Sequence, residues 1–222
     1  MKKILLIGAS SSVAIDLYDK YNKNYEFIRM SRTPTHSDIN DFNLFDSNTY
    51  YKSDYKYDGL VYFPGTINLK NFSSLSIEDF KNDYNINFLG LVQALQFYLP
   101  SFNDGASCVF FSTTANKNGM PFHSSVSSVK SAIVGLTKSL AAEWAPKYRV
   151  NCISPSIFES NMSSKILRSE RIKERISNNH PLKRYGSSND ISEMVNFLIS
   201  EKSSWITGQD IFVDGGMSNI KL

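Results

Sequence analysis

The sequence predicts a single doubly wound, Rossmann-like α/β domain with a mainly parallel sheet flanked by helices. Short apolar runs, typical of buried strands, alternate along the chain with longer segments of helical periodicity. The chain has 222 residues, of which 41% are hydrophobic, and no linker rich in Pro, Gly or Ser divides it. We therefore expect one core spanning residues 1–222. The strand-like runs lie near residues 3–7, 25–30, 59–63, 107–112, 149–153 and 210–213.

Composition favours small-molecule partners and gives no argument for nucleic acid or a membrane. The formal net charge is only +3, and basic residues are scattered among acidic ones. Cys108 and Cys152 each lie inside an apolar run, which fits a reducing compartment and provides no spacing for a metal site. The apolar run at residues 4–7 is too short for a signal peptide, so we expect a first strand there and a cytoplasmic protein.

The first strand is followed by a tight turn and a helix, an order that aims backbone N–H groups at a pyrophosphate. Only one glycine, Gly8, stands in this turn, but the residues after it are small enough for a phosphate to approach the backbone. An ordinary strand–helix turn is the alternative interpretation. The candidate phosphate-binding residues are Gly8, Ser10, Ser11, Ser12 and Val13.

The second strand ends at Ser31 and Arg32. An acidic side chain at this place would hold the ribose hydroxyls of NAD, whereas a hydroxyl and a guanidinium suit the 2′-phosphate of NADP. Because no Asp or Glu stands there, the sequence favours NADP(H) over NAD(H). The alternative is that Arg32 is a solvated surface charge.

A long amphipathic helix is predicted to begin after Ser76, which with Asp79 has the spacing of a capping box. Asn87 lies in the middle of this helix, where a polar side chain is more often solvated than catalytic. The apolar residues follow at three- and four-residue steps. They are Phe80, Tyr84, Phe88, Leu91, Val92 and Leu95.

Two later stretches carry the most specific pattern. The first is Ala-Ile-Val-Gly-Leu-Thr-Lys-Ser-Leu-Ala-Ala-Glu-Trp-Ala (132–145) with Arg-Val-Asn-Cys-Ile-Ser-Pro (149–155). The second begins with Pro-Leu-Lys-Arg-Tyr-Gly (181–186) and ends with Ile-Thr-Gly-Gln-Asp-Ile-Phe-Val-Asp-Gly-Gly (206–216). With them the chain resembles the short-chain dehydrogenases/reductases, and among these the 3-oxoacyl carrier-protein reductases, over almost its whole length. The resemblance implies a nicotinamide dinucleotide cofactor.

The resemblance also implies a catalytic set at the carboxyl end of the fourth strand-like run. Asn87, Thr113 and Lys130 match the family's Asn, Ser and Lys, but Val126 stands where the family has its proton-donating Tyr. Valine cannot deliver a proton to a developing alkoxide. Lys130 would still orient the cofactor through its ribose hydroxyls, and the hydroxyl of Thr113 can donate one hydrogen bond to a carbonyl.

His123 is the candidate replacement for the missing acid. It lies seven residues before Lys130, the spacing at which enoyl reductases place their Tyr, and a histidine is suited to proton delivery near neutral pH. A loop histidine in contact with water is the alternative interpretation.

Further cofactor contacts follow from the resemblance. Asn43 stands at the family's adenine-contacting Asp, with Asp46 as a neighbouring source of charge, and Gly65 ends the run Tyr62-Phe63-Pro64-Gly65, which is Asn-Asn-Ala-Gly in the family. Near the nicotinamide carboxamide the family has Gly and Thr where this chain has Ser156 and Ser160. The candidate residues of this part are Pro155, Ser156, Ile157 and Ser160.

Residues 157–180 match the family's substrate lid and are rich in Lys and Arg. These charges either form a solvated helix face or attract an anionic substrate. The family also pairs the helices that carry Asn87 and Lys130 with their symmetry mates, so we expect a homodimer or homotetramer. The apolar residues assigned to that contact are Phe88, Leu91, Leu95, Ile133, Leu136 and Leu140.

Three function classes remain open. The preferred one is an NADP(H)-dependent oxidoreductase that acts on a carbonyl or enoyl group of an anionic small-molecule or carrier-linked substrate. A second is a pseudoenzyme that acts as a nucleotide-binding or interaction module, which the missing glycines and the missing Tyr support. A third is a non-redox enzyme, such as a lyase or epimerase, that modifies an activated sugar.

Overall fold

The computed structural model describes residues 1–220 and contains one six-stranded sheet in which all paired strands are parallel. The strand order is β2-β1-β3-β4-β5-β6, so the chain moves outward from β1 to one edge and then returns past it to β3. This reversal confirms the doubly wound α/β fold. The strands are β1 (Lys2–Ile7), β2 (Tyr25–Met30), β3 (Tyr57–Tyr62), β4 (Phe102–Phe111), β5 (Arg149–Pro155) and β6 (Asp210–Val213).

Within residues 1–220 the chain forms six α-helices, four of which pack on the two faces of the sheet. A π-helical turn at Asn85–Leu89 joins the second and third of them, so the long helix predicted after Ser76 is divided around Asn87. The predicted capping box of Ser76 and Asp79 is confirmed. The helices are α1 (Ser12–Tyr21), α2 (Ile77–Tyr84), α3 (Gly90–Tyr98), α4 (Ser124–Trp144), α5 (Glu170–Asn179) and α6 (Ser188–Ile199).

Alternate residues of the strands build two hydrophobic cores. In β1, Leu5 and Ile7 pack with α3 and α4 on one face, whereas Ile4 and Leu6 pack with α1 and α6 on the other. Successive side chains of a strand point to opposite faces, so a continuous apolar run is what two covered faces require. None of the helices within residues 1–220 is long and apolar enough to cross a membrane.

Three residues assigned to a subunit contact belong instead to the core. Leu91, Leu95 and Ile133 are 0%, 4% and 1% exposed, because they pack on the sheet. Phe88, Leu136 and Leu140 are only partly buried. The apolar surface available for self-association is therefore smaller than the sequence pattern indicates.

Candidate active site

The carboxyl ends of β1 and β3 meet where the strand order reverses, the place at which doubly wound sheets bind their ligands. Gly8 follows β1 with φ of +80°, and a Cβ at Gly8 would lie 2.9 Å from Cδ of Pro64, which follows β3. Both the backbone conformation and this contact require glycine. The one glycine retained in the turn is thus the one that the packing demands.

The turn after Gly8 leads directly into α1. Ser11 caps the helix, since its Oγ accepts a hydrogen bond from the backbone N–H of Ala14 at 3.1 Å. Ser12 and Val13 form the first turn of the helix, where backbone N–H groups have no partner within the helix. A helix N-terminus without an acidic side chain in its first turn is suited to an anionic group.

Ser31, at the end of β2, belongs to the same edge. The residue is 3% exposed, and its hydroxyl donates a hydrogen bond to Oγ of Ser10 at 3.0 Å, which links β2 to the turn after β1. Arg32 is exposed beside it. The two residues that the sequence assigned to a 2′-phosphate therefore lie next to the predicted phosphate turn.

Asn43 and Asp46, the adenine candidates, are engaged in their own loop. The side-chain oxygen of Asn43 accepts from the N–H of Phe45 at 3.1 Å, and Oδ1 of Asp46 accepts from the N–H of Asn48 at 3.0 Å. Asn43 is exposed. The structure gives both side chains a role in the turn that precedes β3.

Asn87 and Lys130 converge on Gly65. A Cβ at Gly65 would lie 3.0 Å from Oδ1 of Asn87 and 3.5 Å from Nζ of Lys130. Asn87 is fully buried in the π-helical turn, and its Nδ2 donates to the carbonyl of Asp83 at 2.8 Å and to Oγ1 of Thr66 at 2.9 Å. An amide oxygen and an ammonium group thus face the same short piece of backbone.

The ammonium group of Lys130 donates to the carbonyl of Phe111 at the end of β4, at 2.9 Å. Burial lowers the pKa of Lys130 to about 8, because desolvation disfavours the charged form, while Cys152 and Asp83 oppose this shift. Lys130 is therefore mostly protonated at neutral pH, with a pKa close enough to pH 7 for small changes in its surroundings to matter.

The loop after β4 begins with Ser112 and Thr113 and is held by side chains of Ser112 and Asn116. Oγ1 of Thr113 accepts from the N–H of Ala115 at 3.3 Å, which leaves the hydroxyl proton to donate elsewhere. Oγ of Ser112 donates to the carbonyl of Lys130 at 2.9 Å. In the same loop, Nδ2 of Asn116 donates to Oδ2 of Asp210 in β6 at 3.0 Å. The loop is thus tied to α4 and to the last strand.

Val126 lies one helical turn before Lys130 and is 4% exposed. His123 directly precedes α4, and its Nδ1 lies 2.7 Å from the carbonyl of Pro121. Because a carbonyl only accepts, Nδ1 carries a proton, and donation from Nε2 requires the imidazolium form. The side chain of His123 is partly exposed, so both sequence interpretations of this residue remain compatible with its position.

At the end of β5, Ser156 lies against a buried histidine that the sequence pattern did not indicate. Its Oγ is 2.8 Å from Nε2 of His180, whose Nδ1 is 2.8 Å from the carbonyl of Ile176. Further along, the N–H of Ser160 donates to Oγ of Ser163 at 2.9 Å. The end of β5 is thereby attached to α5 and to the segment before it.

The remaining candidates lie at the start of this same connection. Pro155 is the last residue of β5, and the carbonyl of Ile157 accepts from the N–H of Gly186 at 3.0 Å.

Within residues 1–220, no group of three or more His, Cys, Asp and Glu side chains is arranged to hold a metal ion.

Comparison with known proteins identifies the family to which this fold belongs. A family model described as enoyl-(acyl carrier protein) reductase matches residues 48–218. The short-chain dehydrogenase/reductase SDRA of Arabidopsis thaliana is 34% identical over 134 residues, which is 60% of this chain and 53% of that protein. The chain belongs to the short-chain dehydrogenase/reductase family.

A second relative in this family is the 3-oxoacyl-[acyl-carrier-protein] reductase FabG of Thermotoga maritima, 31% identical over 143 residues, which is 63% of this chain and 57% of that protein. The chain spans little more than half the length of these two relatives.

Two solved structures share the short-chain dehydrogenase/reductase fold over essentially the whole chain. One is 4-hydroxyisoleucine dehydrogenase complexed with NADH, with a TM-score of 0.86, 20% identity and coverage of 100% of both chains. The other is a small-chain dehydrogenase in complex with NADPH, with a TM-score of 0.85, 21% identity and coverage of 98% of both chains. At these identities the likeness shows the fold alone.

Proposed function

We propose that this protein is an NADP(H)-dependent oxidoreductase that acts on a carbonyl or enoyl group of an anionic small-molecule or carrier-linked substrate. The observation that carries the proposal is the convergence of Lys130 Nζ and Asn87 Oδ1 on Gly65, at the carboxyl edge of a doubly wound sheet. Family membership supports a redox reaction, and the similarity to the enoyl-(acyl carrier protein) reductase model and to FabG supports a carrier-linked substrate.

The residues at the switch point fit a dinucleotide. The positive φ of Gly8 and the N-terminus of α1 are suited to the diphosphate, and Lys130 is suited to ribose hydroxyls. Solved neighbours contain NADH or NADPH, which supports a nicotinamide cofactor of either kind. The pair Ser31 and Arg32, with no acid beside them, favours the 2′-phosphate of NADP(H).

When bound, the reduced cofactor supplies a hydride to the substrate. In this proposal the Lys130 ammonium orients the cofactor, and the hydroxyl of Thr113 donates a hydrogen bond to the substrate carbonyl. The proton comes from Nε2 of His123 in its imidazolium form or from a water held by Asn87 and Lys130. Either source would replace the tyrosine hydroxyl that is absent at Val126.

Calorimetric titration with NADPH and with NADH tests the cofactor assignment. We expect NADPH to bind more tightly, and Arg32→Asp to narrow or invert the preference because it replaces the phosphate partner by a negative charge. Lys23→Asp, with the same change of charge before the start of β2, is the matched control and should retain the preference. Equal binding of both nucleotides would contradict the assignment of the phosphate site, and binding of neither would contradict the proposed function.

Turnover of a panel of carbonyl and enoyl substrates, followed by NADPH absorbance, tests the reaction. If His123 is the acid, His123→Ala should lower the rate by roughly 10²-fold or more while the affinity for NADPH stays nearly unchanged. A clear rate that His123→Ala leaves untouched would assign the proton to ordered water or to the substrate.

A second candidate function, a nucleotide-binding or interaction module without turnover, is supported by the valine at position 126 and by the single glycine in the turn after β1. It predicts NADPH binding with no reaction on any substrate of the panel. Turnover without a change in nicotinamide absorbance would instead support a non-redox enzyme.

A further inference from the structure

Asp83 is a fully buried carboxylate in the last turn of α2, outside the set of residues that the sequence pattern indicated. Its Oδ1 accepts hydrogen bonds from Oγ1 of Thr66 at 2.6 Å and from Nδ2 of Asn68 at 2.9 Å. Its Oδ2 accepts from Oγ of Ser125 at 2.6 Å. A buried carboxylate is costly unless it is hydrogen-bonded and paired with a positive charge.

Lys130 is the positive charge of the same region. Two titratable groups act on its ammonium group from the surrounding elements, Cys152 from β5 and Asp83 from α2. Burial raises the pKa of Cys152, so its thiol is neutral at neutral pH. The negative charge that opposes the desolvation of Lys130 is therefore that of Asp83.

Asp83 also reaches the second side chain that faces Gly65. Its backbone carbonyl accepts from Nδ2 of Asn87 at 2.8 Å, and Thr66, a donor to its carboxylate, accepts from the same Nδ2 at 2.9 Å. Ser125, the third partner, directly precedes Val126 in α4. One residue thus connects α2, the loop after β3 and α4 around the site.

We propose that Asp83 is a positioning residue of the site: its carboxylate holds Thr66 after β3 and Ser125 in α4, and its backbone carbonyl holds Asn87, so that Asn87 and Lys130 face Gly65 with the charge of the carboxylate beside them. A role in packing alone is the competing explanation. A positioning role depends on the negative charge of Asp83, whereas a packing role does not. Asp83→Asn separates the two explanations, because it keeps the size of the side chain and removes its charge.

The protonation of Lys130 can be measured without any nucleotide. The ¹³Cε signal of Lys130, assigned by its loss in Lys130→Met, is followed against pH in the ligand-free protein. Asp83→Asn should lower the midpoint by roughly one pH unit or more, because loss of an opposite charge destabilises the ammonium. Ser125→Ala, which removes one hydrogen bond and keeps the charge, is the matched control and should leave the midpoint nearly unchanged. An unchanged midpoint in folded Asp83→Asn would overturn the proposal.

A double variant covers the case in which Asp83→Asn does not fold. Asp83→Ala combined with Ser125→Ala removes the carboxylate together with its donor in α4, so that this donor is not left without a partner. The midpoint of Lys130 should fall in the double variant as well, and an unchanged midpoint would equally overturn the proposal.

The consequence for cofactor binding rests on the proposed function. In Asp83→Asn, Lys130 should lose its proton at a lower pH. Above that pH the Kd for NADPH should rise by up to about tenfold per pH unit, and lowering the pH should restore binding. A loss of affinity that is the same at every pH would indicate a packing role and overturn the proposal. If the unmodified protein binds no nucleotide, the proposed function fails, while the two NMR titrations still decide the role of Asp83.

Discussion

At the scale of single residues, Val126 is the position at which the proposed function can be tested most directly. Its side chain is 4% exposed and lies at the position that the family resemblance gives to the proton donor. The neighbouring Lys130 faces Gly65, and Thr113 has a hydroxyl proton available, so the groups that would assist a phenol are already present. Under the proposed function, a hydroxyl at position 126 is the component that the chain does not supply.

Val126→Tyr should therefore create measurable NADPH-dependent reduction of a generic ketone or thioester, or increase a rate that already exists. The phenylalanine in Val126→Phe has nearly the same volume as tyrosine but no hydroxyl. This variant should therefore react at the rate of the unmodified protein. Both variants enlarge a buried side chain and should lose about 1–3 kcal/mol of folding free energy, to be checked by urea unfolding. Equal rates for the two variants would show that the phenol does not reach the substrate.

The sequence alone could not identify Asp83 as part of the site. A polar residue on an amphipathic helix is usually solvated. Ser125, which donates a hydrogen bond to Asp83, lies 42 residues further along the chain. Asn87 and Lys130, in contrast, could be assigned because they lie within a specific local pattern. Residues that act through contacts distant in sequence leave no spacing from which to recognise them.

At the scale of elements, the π-helical turn Asn85–Leu89 is the unusual one. The N–H of Gly90 donates to the carbonyl of Asn85, five residues back, instead of to that of Ile86. The hydroxyl of Tyr62, at the end of β3, donates to the carbonyl of Ile86 at 2.6 Å. Burial raises the pKa of Tyr62 well above its ordinary value, so the donor keeps its proton.

Tyr62→Phe should leave that carbonyl without this donor and cost about 1–3 kcal/mol of folding free energy. It should also weaken NADPH binding, because Asn87 lies in the same turn. Tyr98→Phe is the control: Tyr98 is equally buried, but its hydroxyl lies 3.3 Å from the carbonyl of Tyr51, so a smaller loss is expected. Urea unfolding midpoints compare the two. An equal loss in both variants would argue against a special role of Tyr62.

The sequence predicted the elements best where burial alone determines them. Strands that are covered on both faces are continuous apolar runs, and all six were found near their predicted places. The beginning of β4, however, is polar and reaches back to Phe102, paired with Tyr57 across a register shift. The first turn of α4 is rich in serine and is held by contacts such as Ser127 Oγ to the carbonyl of Ala115 at 2.7 Å. Apolar periodicity in the sequence cannot indicate the polar start of β4 or the serine-rich start of α4.

For the whole molecule, self-association remains a prediction from the family resemblance. Leu89, beside α3, is 43% exposed, and Leu136 on α4 is partly buried. We expect a dimer or tetramer that buries them. Leu89→Arg should shift the mass measured by light scattering at micromolar concentration towards the monomer. Phe72→Arg, at a more exposed apolar residue outside α2–α4, is the control and should leave the mass unchanged.

A monomer of the unmodified protein under these conditions would contradict this prediction. So would a mass that Leu89→Arg leaves unchanged while circular dichroism shows a folded chain.

The hydrogen bond between Asn116 and Asp210 has a consequence for the nascent chain. As the ribosome releases the protein, β1 to β5 emerge before β6, so β5 presents an unpaired edge until residues 210–213 have been made. The loop after β4 lacks its contact with β6 for the same period. We therefore expect cofactor binding to begin only after β6 has left the exit tunnel, so that NADPH cannot assist the folding of the earlier strands during translation.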